Sequence, residues 1–199
     1  CNEIIKRDLK ISWSTRAAVH PADREIVSLM KKAGCKRVHC GVETLEPTVL
    51  KNIRKVQTID QVRSFFSWCD EFEIDTLAYF MLGLPGETQE YRTNFTKYLR
   101  TLNPTYVYIN VLQPLPNTQL YDKLLNEGVF ETDHWADFAV KPVRNFDPPS
   151  YRDLDLNDEL TTLANTLHRK FYLSPKFIIE DIKRTGSMEL FMRKCSAAF

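Results

Sequence analysis

The side chains with most chemical reach in this chain recur at every second position of short apolar segments. Ser12, Ser14 and Arg16 alternate with Ile11, Trp13 and Thr15, and His39 and Glu43 with Val38, Cys40 and Val42. Tyr106, Tyr108, Asn110 and Leu112 alternate in the same way with Val107, Ile109 and Val111. A period of two belongs to a strand, so each segment has one aliphatic face and one polar face. The polar faces carry a guanidinium suited to bidentate pairing, a carboxylate that can accept two hydroxyls, an imidazole, phenols and amides. A further apolar run, Leu77 to Leu82, leads into Gly83-Leu84-Pro85-Gly86. Pro85 presets one backbone angle there, and Gly83 and Gly86 admit positive φ or a ligand lying against bare backbone. Arg16, Glu43, the turn from Gly83 to Glu87, and Gln113 fall at the C-terminal ends of their segments. Ser14, His39, Tyr79, Tyr108 and Asn110 lie further back along them. A mid-strand histidine such as His39 is more often an internally hydrogen-bonded residue than a ligand; His20, His134 and His168 stand in surface-like contexts and carry no chemical signal.

Helical signals separate these segments. Strands are expected over Lys10 to Ala17, Arg37 to Glu43, Leu77 to Leu82 and Tyr106 to Gln113. A helix is expected from Pro21 to a stop at Gly34, and a short one over Pro47 to Ile53. Thr58-Ile-Asp-Gln61 is a capping box ahead of Val62, Phe65, Phe66 and Phe72. Thr88 caps a helix striped by Tyr91, Phe95, Tyr98, Leu99 and Leu102, and Asn117-Thr118 starts one that ends at Gly128. Strand and helix therefore alternate four times, at the spacing of right-handed βα crossovers.

The Leu77 to Leu82 run reads as a strand buried on both faces. The polar faces of the other strands do not suit a flat doubly wound sheet, whose two faces both meet helices; they suit a barrel, whose inner face can line a cavity. The fold class expected is α/β: an incomplete (βα) TIM-type partial barrel of about four parallel strands with outer helices, over residues 1–128. Residues 129–199 follow as a wrapping loop and a helical extension. Val129 to Leu154 lacks clear periodicity, Leu156 to Phe171 has a helical stripe, Ser174-Pro175 starts another helix, and Gly186-Ser187 precedes a last one. In such barrels ligands bind at the C-terminal strand ends. Four strands do not close a barrel, so the first is left as an edge. Self-association through that edge, or missing strands supplied by a longer protein, is expected. The chain also opens at Cys1 inside an amphipathic helix pattern, as a piece of a longer polypeptide would.

A net charge of +1 over 199 residues gives no field that would favour nucleic acid or an anionic membrane. No apolar run approaches the roughly 20 residues of a membrane helix, and a cytoplasmic location is expected. Cys1, Cys35, Cys40, Cys69 and Cys195 are never two or three apart, which excludes a local CxxxCxxC cluster loop or a zinc motif. Cys35, Cys40 and Cys69 read as small reduced core residues.

The order of these pieces resembles the radical SAM superfamily, and in particular the branch with an N-terminal cobalamin-binding domain, of the anaerobic magnesium-protoporphyrin cyclase type. The residues that carry the resemblance are Ile11-Ser-Trp-Ser-Thr-Arg16, Lys32 to Arg37 leading into Gly41-Val-Glu-Thr44, Tyr79 to Thr88, and Leu112-Gln-Pro-Leu-Pro-Asn-Thr118 followed by Leu120-Tyr121. Phe171-Tyr-Leu-Ser-Pro-Lys176 is similar to that branch's helical C-terminal region. The resemblance implies a parent enzyme that holds a 4Fe-4S cluster on a CxxxCxxC loop and cleaves S-adenosylmethionine (SAM) to a 5′-deoxyadenosyl radical. This chain would be strands three to six of its barrel, without the cluster loop, binding no cofactor by itself. Cobalamin in the parent is admitted by the same branch.

On that resemblance Glu43 would bond the SAM ribose, Gly83, Leu84, Pro85 and Gly86 would lie against the adenine, and Arg16 would pair with the SAM carboxylate. Gln113 would bond the adenine edge. Ser14, His39, Tyr79, Tyr108 and Asn110 would face a small-molecule substrate, a tetrapyrrole by family analogy, and the activity would be that of an iron-sulfur oxidoreductase or a methyltransferase-like enzyme. An ion pair between Glu43 and Arg16 or Arg37 is the purely structural alternative. Two other readings of the whole chain remain: a self-sufficient phosphate- or nucleotide-binding barrel using the Gly83 turn as an anion nest, and a non-catalytic assembly module docking by its open sheet edge.

Overall fold

The computed structural model describes residues 1–146 and 154–187. Nine helices and four strands follow in the order α1 (Asn2–Lys6), β1 (Trp13–Ala17), α2 (Arg24–Lys32), β2 (Cys35–Glu43), α3 (Pro47–Asn52), α4 (Ile59–Glu71), β3 (Asp75–Leu82), α5 (Gln89–Leu102), β4 (Tyr106–Val111), α6 (Gln119–Asn126), α7 (His134–Val140), α8 (Leu154–Tyr172) and α9 (Pro175–Thr185) among the described residues. The strands form one open parallel sheet in the order β1-β2-β3-β4.

Side-chain caps fix where the helices start. Thr58 and Gln61 close both halves of their capping box, at 3.2 and 2.8 Å, and the hydroxyls of Thr88, Thr118 and Ser174 accept the amides of Tyr91, Tyr121 and Phe177. The strands β2 and β3 begin two residues earlier than expected, at Cys35 and Asp75, β4 ends at Val111 and not Gln113, and three further differences have a visible cause. The α2 helix begins at Arg24, because the Asp23 carboxylate accepts the Ile26 amide at 2.8 Å. The first strand begins at Trp13 and not Lys10: the Ile11 carbonyl lies so close to Gly34, at φ +91°, that a Cβ there would be 2.1 Å from it. The stretch after Val129 contains α7, started by Asp133, whose carboxylate accepts the Ala136 amide and the Tyr121 hydroxyl. Its brevity hid it from a periodicity reading. Pro148-Pro149 and the segment after Ser187 lie outside the described residues.

One sheet face is the core. Val38, Cys40, Val42, Ala78, Phe80, Leu82, Val107 and Ile109 pack with Val27, Val62, Phe65, Phe95 and Leu99 of α2, α4 and α5. The opposite face is open, and this corrects the reading of β3 as buried on both sides. Thr76, Ala78, Phe80 and Leu82 are buried, whereas Leu77, Tyr79 and Met81 are half-buried on the open face. Apolar side chains there gave the run its uninterrupted look.

The two sheet edges are treated differently. Leu160, Ala164 and Leu167 of α8 join the main core, and that helix also takes up the outer backbone groups of β4. The Tyr172 hydroxyl accepts the Val107 amide at 3.1 Å and donates to the Val107 carbonyl at 2.6 Å, while His168 Nε2 accepts the Ile109 amide at 3.0 Å. At the N-terminal end of the sheet, Arg184 of α9 pairs with Asp75 and Asp181, each at 3.2 Å, and the Tyr106 hydroxyl donates to Asp181. No strand lies beyond β1 among the described residues.

Because His168 accepts through Nε2, the fold requires its neutral form, and burial pulls its pKa below the ordinary 6.5 despite an opposing backbone hydrogen bond at Ala164. The stability it contributes is complete above 6.5 and is lost as the pH falls through 6.5 toward the depressed folded value. His39, also depressed, acts with the same sign. His168→Leu should lower stability at pH 7.5 by about 1–3 kcal/mol and reduce the further loss between pH 7.5 and 5, both read by urea denaturation. An unchanged pH dependence would remove His168 from this role.

Candidate functional site at the open end of the sheet

The loops at the C-terminal strand ends are tied to one another by side chains, so the rim is built before any ligand arrives. The loop after β2 is held to the start of α5: the Leu45 amide donates to the Tyr91 hydroxyl at 2.9 Å, and Glu46 accepts both the amide and the hydroxyl of Thr88. Burial pushes the Tyr91 phenol up to about 12, so it stays a neutral donor and acceptor. The Asn52 amide group donates to the Pro85 carbonyl at 3.1 Å. Gly86, at φ +87°, leaves room for it, since a Cβ there would meet Asn52 Nδ2 at 2.5 Å.

The Gly83 turn closes on itself. Gly83 sits at φ +80°, and its amide donates at 3.1 Å to Oε2 of Glu87, whose carboxylate is fully buried and paired with Arg92 at 3.0 Å. Leu84 is buried, and Leu160 of α8 packs onto Gly83. Of the turn, Pro85 is half-buried and Gly86 alone is exposed.

Glu43 ends β2 at φ +65°, where the register against β3 slips: Gly41 faces Tyr79, yet Glu43 faces Phe80. This bulge swings the carboxylate back over Gly41 to meet Lys55 Nζ at 3.0 Å. A Cβ on Gly41 would lie 2.5 Å from Glu43 Oε1 and 3.1 Å from Lys55 Nζ, so the pair needs glycine there. Gln57 supports the bulge by donating to the Val42 carbonyl at 3.0 Å. The expected partner of Glu43, Arg16 or Arg37, is corrected: Arg37 pairs with Asp75 at 3.2 Å and lies over the Tyr106 ring, and Arg16 projects, exposed, from β1. Strand spacing could not reveal Lys55, which reaches the site from the loop after α3.

Across the open face runs a row of rings. His39 Nδ1 is 3.2 Å from the Tyr79 hydroxyl, and Tyr79 meets Tyr108 edge-on at 5.8 Å between centroids. Tyr108 is followed by His168 at 5.9 Å. The reading of His168 as a surface residue without signal is corrected by this position: its value lies in β4's edge, 59 residues away in sequence. Arg16 stands opposite His39 and Ser14 opposite Arg37 in the β1–β2 register. Asn110 pairs in register with Met81, and Gln113 follows β4, both exposed. The structure thus gathers Arg16, His39, Tyr79 and Tyr108 on one face, sets Glu43 with Lys55 at its end, and leaves Gly83 and Leu84 within the packing behind it.

Comparison with known proteins bears on this arrangement. The family model described as "Radical SAM superfamily" matches residues 1–99. Those residues are similar to the radical SAM superfamily over just under half of the chain. An uncharacterised methyltransferase of Pyrococcus horikoshii is 27% identical over 90% of this chain and 38% of its own length. The anaerobic magnesium-protoporphyrin IX monomethyl ester cyclase of Rubrivivax gelatinosus is 27% identical over 100% of this chain and 35% of its own. Among solved structures, the radical SAM methyltransferase TsrM of Kitasatospora setae, with cobalamin and a [4Fe-4S] cluster bound, has a TM-score of 0.58 at 21% identity, covering 63% of this chain and 27% of that one. Coproporphyrinogen III oxidase of Escherichia coli has a TM-score of 0.55 at 17% identity, covering 83% and 36%. These likenesses show the fold: a radical SAM partial barrel with a helical C-terminal part. The chain spans a little over a third of the curated relatives it matches.

A radical SAM cluster needs three deprotonated cysteines, and the described thiols do not fit it. Cys35, Cys40 and Cys69 are buried on the core side of the fold, where burial raises all three and takes Cys69 up to about 12. Among the described residues no three His, Cys, Asp or Glu side chains gather as a metal would require. No helix among the described residues is long and apolar enough to cross a membrane.

The rim's stability hinges on Glu87. Arg92→Met would leave that buried carboxylate without its guanidinium and should destabilise the chain by about 3–5 kcal/mol. Glu87→Gln, which keeps an acceptor for the Gly83 amide, should cost distinctly less. Equal losses in thermal unfolding would show that charge pairing is not what holds the turn.

Proposed function

We propose that this chain is the C-terminal half of a radical SAM catalytic barrel, whose open face meets the adenosyl part of SAM and a small-molecule substrate. The Glu43–Lys55 pair carries the reading. The Glu43 carboxylate is about one quarter exposed, is steered by Lys55 and the bulge to the ligand end of the sheet, and keeps acceptor capacity for ribose hydroxyls. The adenine side would be met by the Pro85-Gly86 part of the turn and by Gln113, the SAM carboxylate by Arg16. The 4Fe-4S cluster and the missing strands would come from the rest of a longer protein, joining at β1.

The relatives include methyltransferases and a cyclase, so methyl transfer and oxidative ring chemistry both fit the chain's ancestry. The ring wall of Tyr79 and Tyr108, with Ser14, His39 and Asn110 around it, favours a planar substrate. A tetrapyrrole is the substrate class we assign, by the cyclase relative, and an oxidoreductase the enzyme class. Cobalamin in the parent is supported by the fold's likeness to cobalamin-bound TsrM.

The phosphate-nest alternative has a physical obstacle. The Gly83 amide is already bonded to the Glu87 carboxylate, so an incoming anion would meet a negative charge. The assembly-module alternative predicts that Glu43 is indifferent to ligands.

The test is anaerobic iron and sulfide reconstitution of the full-length gene product, followed by SAM binding and cleavage. Cluster absorbance and 5′-deoxyadenosine are expected. Removing a hydrogen bond to a charged group costs about 1.5–3 kcal/mol, so Glu43→Ala should weaken SAM binding by about 10- to 100-fold. Absence of both cluster and cleavage would overturn the reading, and unchanged SAM affinity in Glu43→Ala would remove Glu43 from it.

A further inference from the structure

His39 and Tyr79 stand out on the open face because their contact serves no structural need that either could not meet with water. The imidazole is half-buried in mid-sheet, with Nδ1 held at 3.2 Å by the Tyr79 hydroxyl. No hydrogen bond to Nε2 is made by the described residues, and this nitrogen lies on the side of the ring away from Tyr79. The Tyr79 ring is in turn fixed edge-on against Tyr108, so the pair has one defined geometry and one free nitrogen.

We infer that His39 and Tyr79 form an acid–base pair in which Tyr79 fixes the imidazole with its proton on Nδ1, leaving Nε2 to take a proton from a substrate lying on the Tyr79–Tyr108 wall. The inference rests on the open face being the substrate wall, as proposed above, and adds a proton-transfer role to it. In the transfer the substrate's proton moves to Nε2, its electron pair stays on the substrate, and the imidazolium so formed keeps donating through Nδ1–H to the Tyr79 oxygen. No oxidant or reductant is consumed. Return of the proton to product or solvent restores the base.

The charges around the ring suit this resting state. From β1 comes the exposed Arg16, opposite His39 in register; from β2 itself, Arg37; from β3, Tyr79, with Asp75 bound to Arg37. The Glu43–Lys55 pair lies further along β2, and Tyr108 of β4 stands behind Tyr79. Burial, then Arg37 and Arg16, pull the imidazole below the ordinary 6.5, so that it is an unprotonated base at neutral pH. The edge-on Tyr79–Tyr108 wall beside it identifies the ligand class as a planar molecule that loses a proton.

Nitrogen-detected NMR of the histidines in this chain is the first test. Wild type should show His39 neutral at pH 7 with its proton on Nδ1 and a midpoint below 6.5. Tyr79→Phe removes the acceptor for Nδ1–H, so the midpoint should fall further and the proton shift toward Nε2, with His20 unmoved. A rise in the midpoint, or a wild-type proton on Nε2, would mean that Tyr79 donates to His39 and would overturn the inference. The second test uses the reconstituted full-length enzyme. General-base catalysis is worth about 10²–10⁴-fold, so His39→Gln should lower kcat by at least 100-fold and abolish the acid limb of its pH profile at the NMR midpoint. Retention of that limb would also overturn it. Failure of cluster assembly or SAM cleavage in the wild type would instead sink the proposed function, leaving the NMR result standing by itself.

Discussion

The backbone hydrogen bonds of a parallel sheet are completed at its edges by protein or by water, and the described residues complete only one edge with protein. Buried N–H and C=O groups without partners cost about 1–3 kcal/mol each, which strongly constrains what can lie beside β4. Here Tyr172 and His168 of α8 supply the hydroxyl and imidazole that a fifth strand's backbone would otherwise provide. A helix carrying two side chains can saturate an edge but cannot pass it on, so the sheet cannot grow in that direction. Its only direction of growth is through β1, whose outer edge meets no strand among the described residues. The polarity of the fold, one edge sealed and the other open, thus follows from two side chains on one helix.

On the proposed reading, that asymmetry makes this face half of a site. Several charged groups along the open face are already matched: Arg37 with Asp75, Glu43 with Lys55, Asp181 with Tyr106 and Arg184. These pairs stiffen the sheet and set its charge close to balance. Among the groups left over, Arg16 and Nε2 of His39 lie toward β1, the side on which further strands would close a cavity around a ligand on the proposed reading. Chemistry and sheet growth therefore face the same way.

Much of this was legible in the sequence because strand period and helix caps are local. The alternation in Arg37 to Glu43 and Tyr106 to Leu112 separated core from open face correctly, and Thr58, Thr88, Thr118 and Ser174 cap as their spacing indicates. What escaped depends on distance in sequence. Lys55 is 12 residues from Glu43 and in no periodic element; Tyr172 is 65 residues from the amide it satisfies. No spacing rule links such pairs, since they are set by how α3 and α8 pack. The β3 face was misread for a different reason: Leu77, Tyr79 and Met81 are apolar by type yet stand on the open side, where a ligand wall and a core have the same composition.

The glycine turn shows how packing revises a motif. By type, Gly83 offers a bare amide to a ligand, but Glu87 has taken that amide, Arg92 holds Glu87, and Leu160 covers the glycine from behind. A ligand could reach the Gly83 amide only by displacing the buried carboxylate oxygen that holds it, and an anion would meet that negative charge. The turn's function is therefore displaced toward Pro85 and Gly86, where Asn52 positions the carbonyl and the missing Cβ makes room for it. Glycine at position 83 serves the shape of the rim, and glycine at position 86 its surface. The same four residues thus divide between scaffold and wall, and the division is decided by the buried carboxylate that follows them.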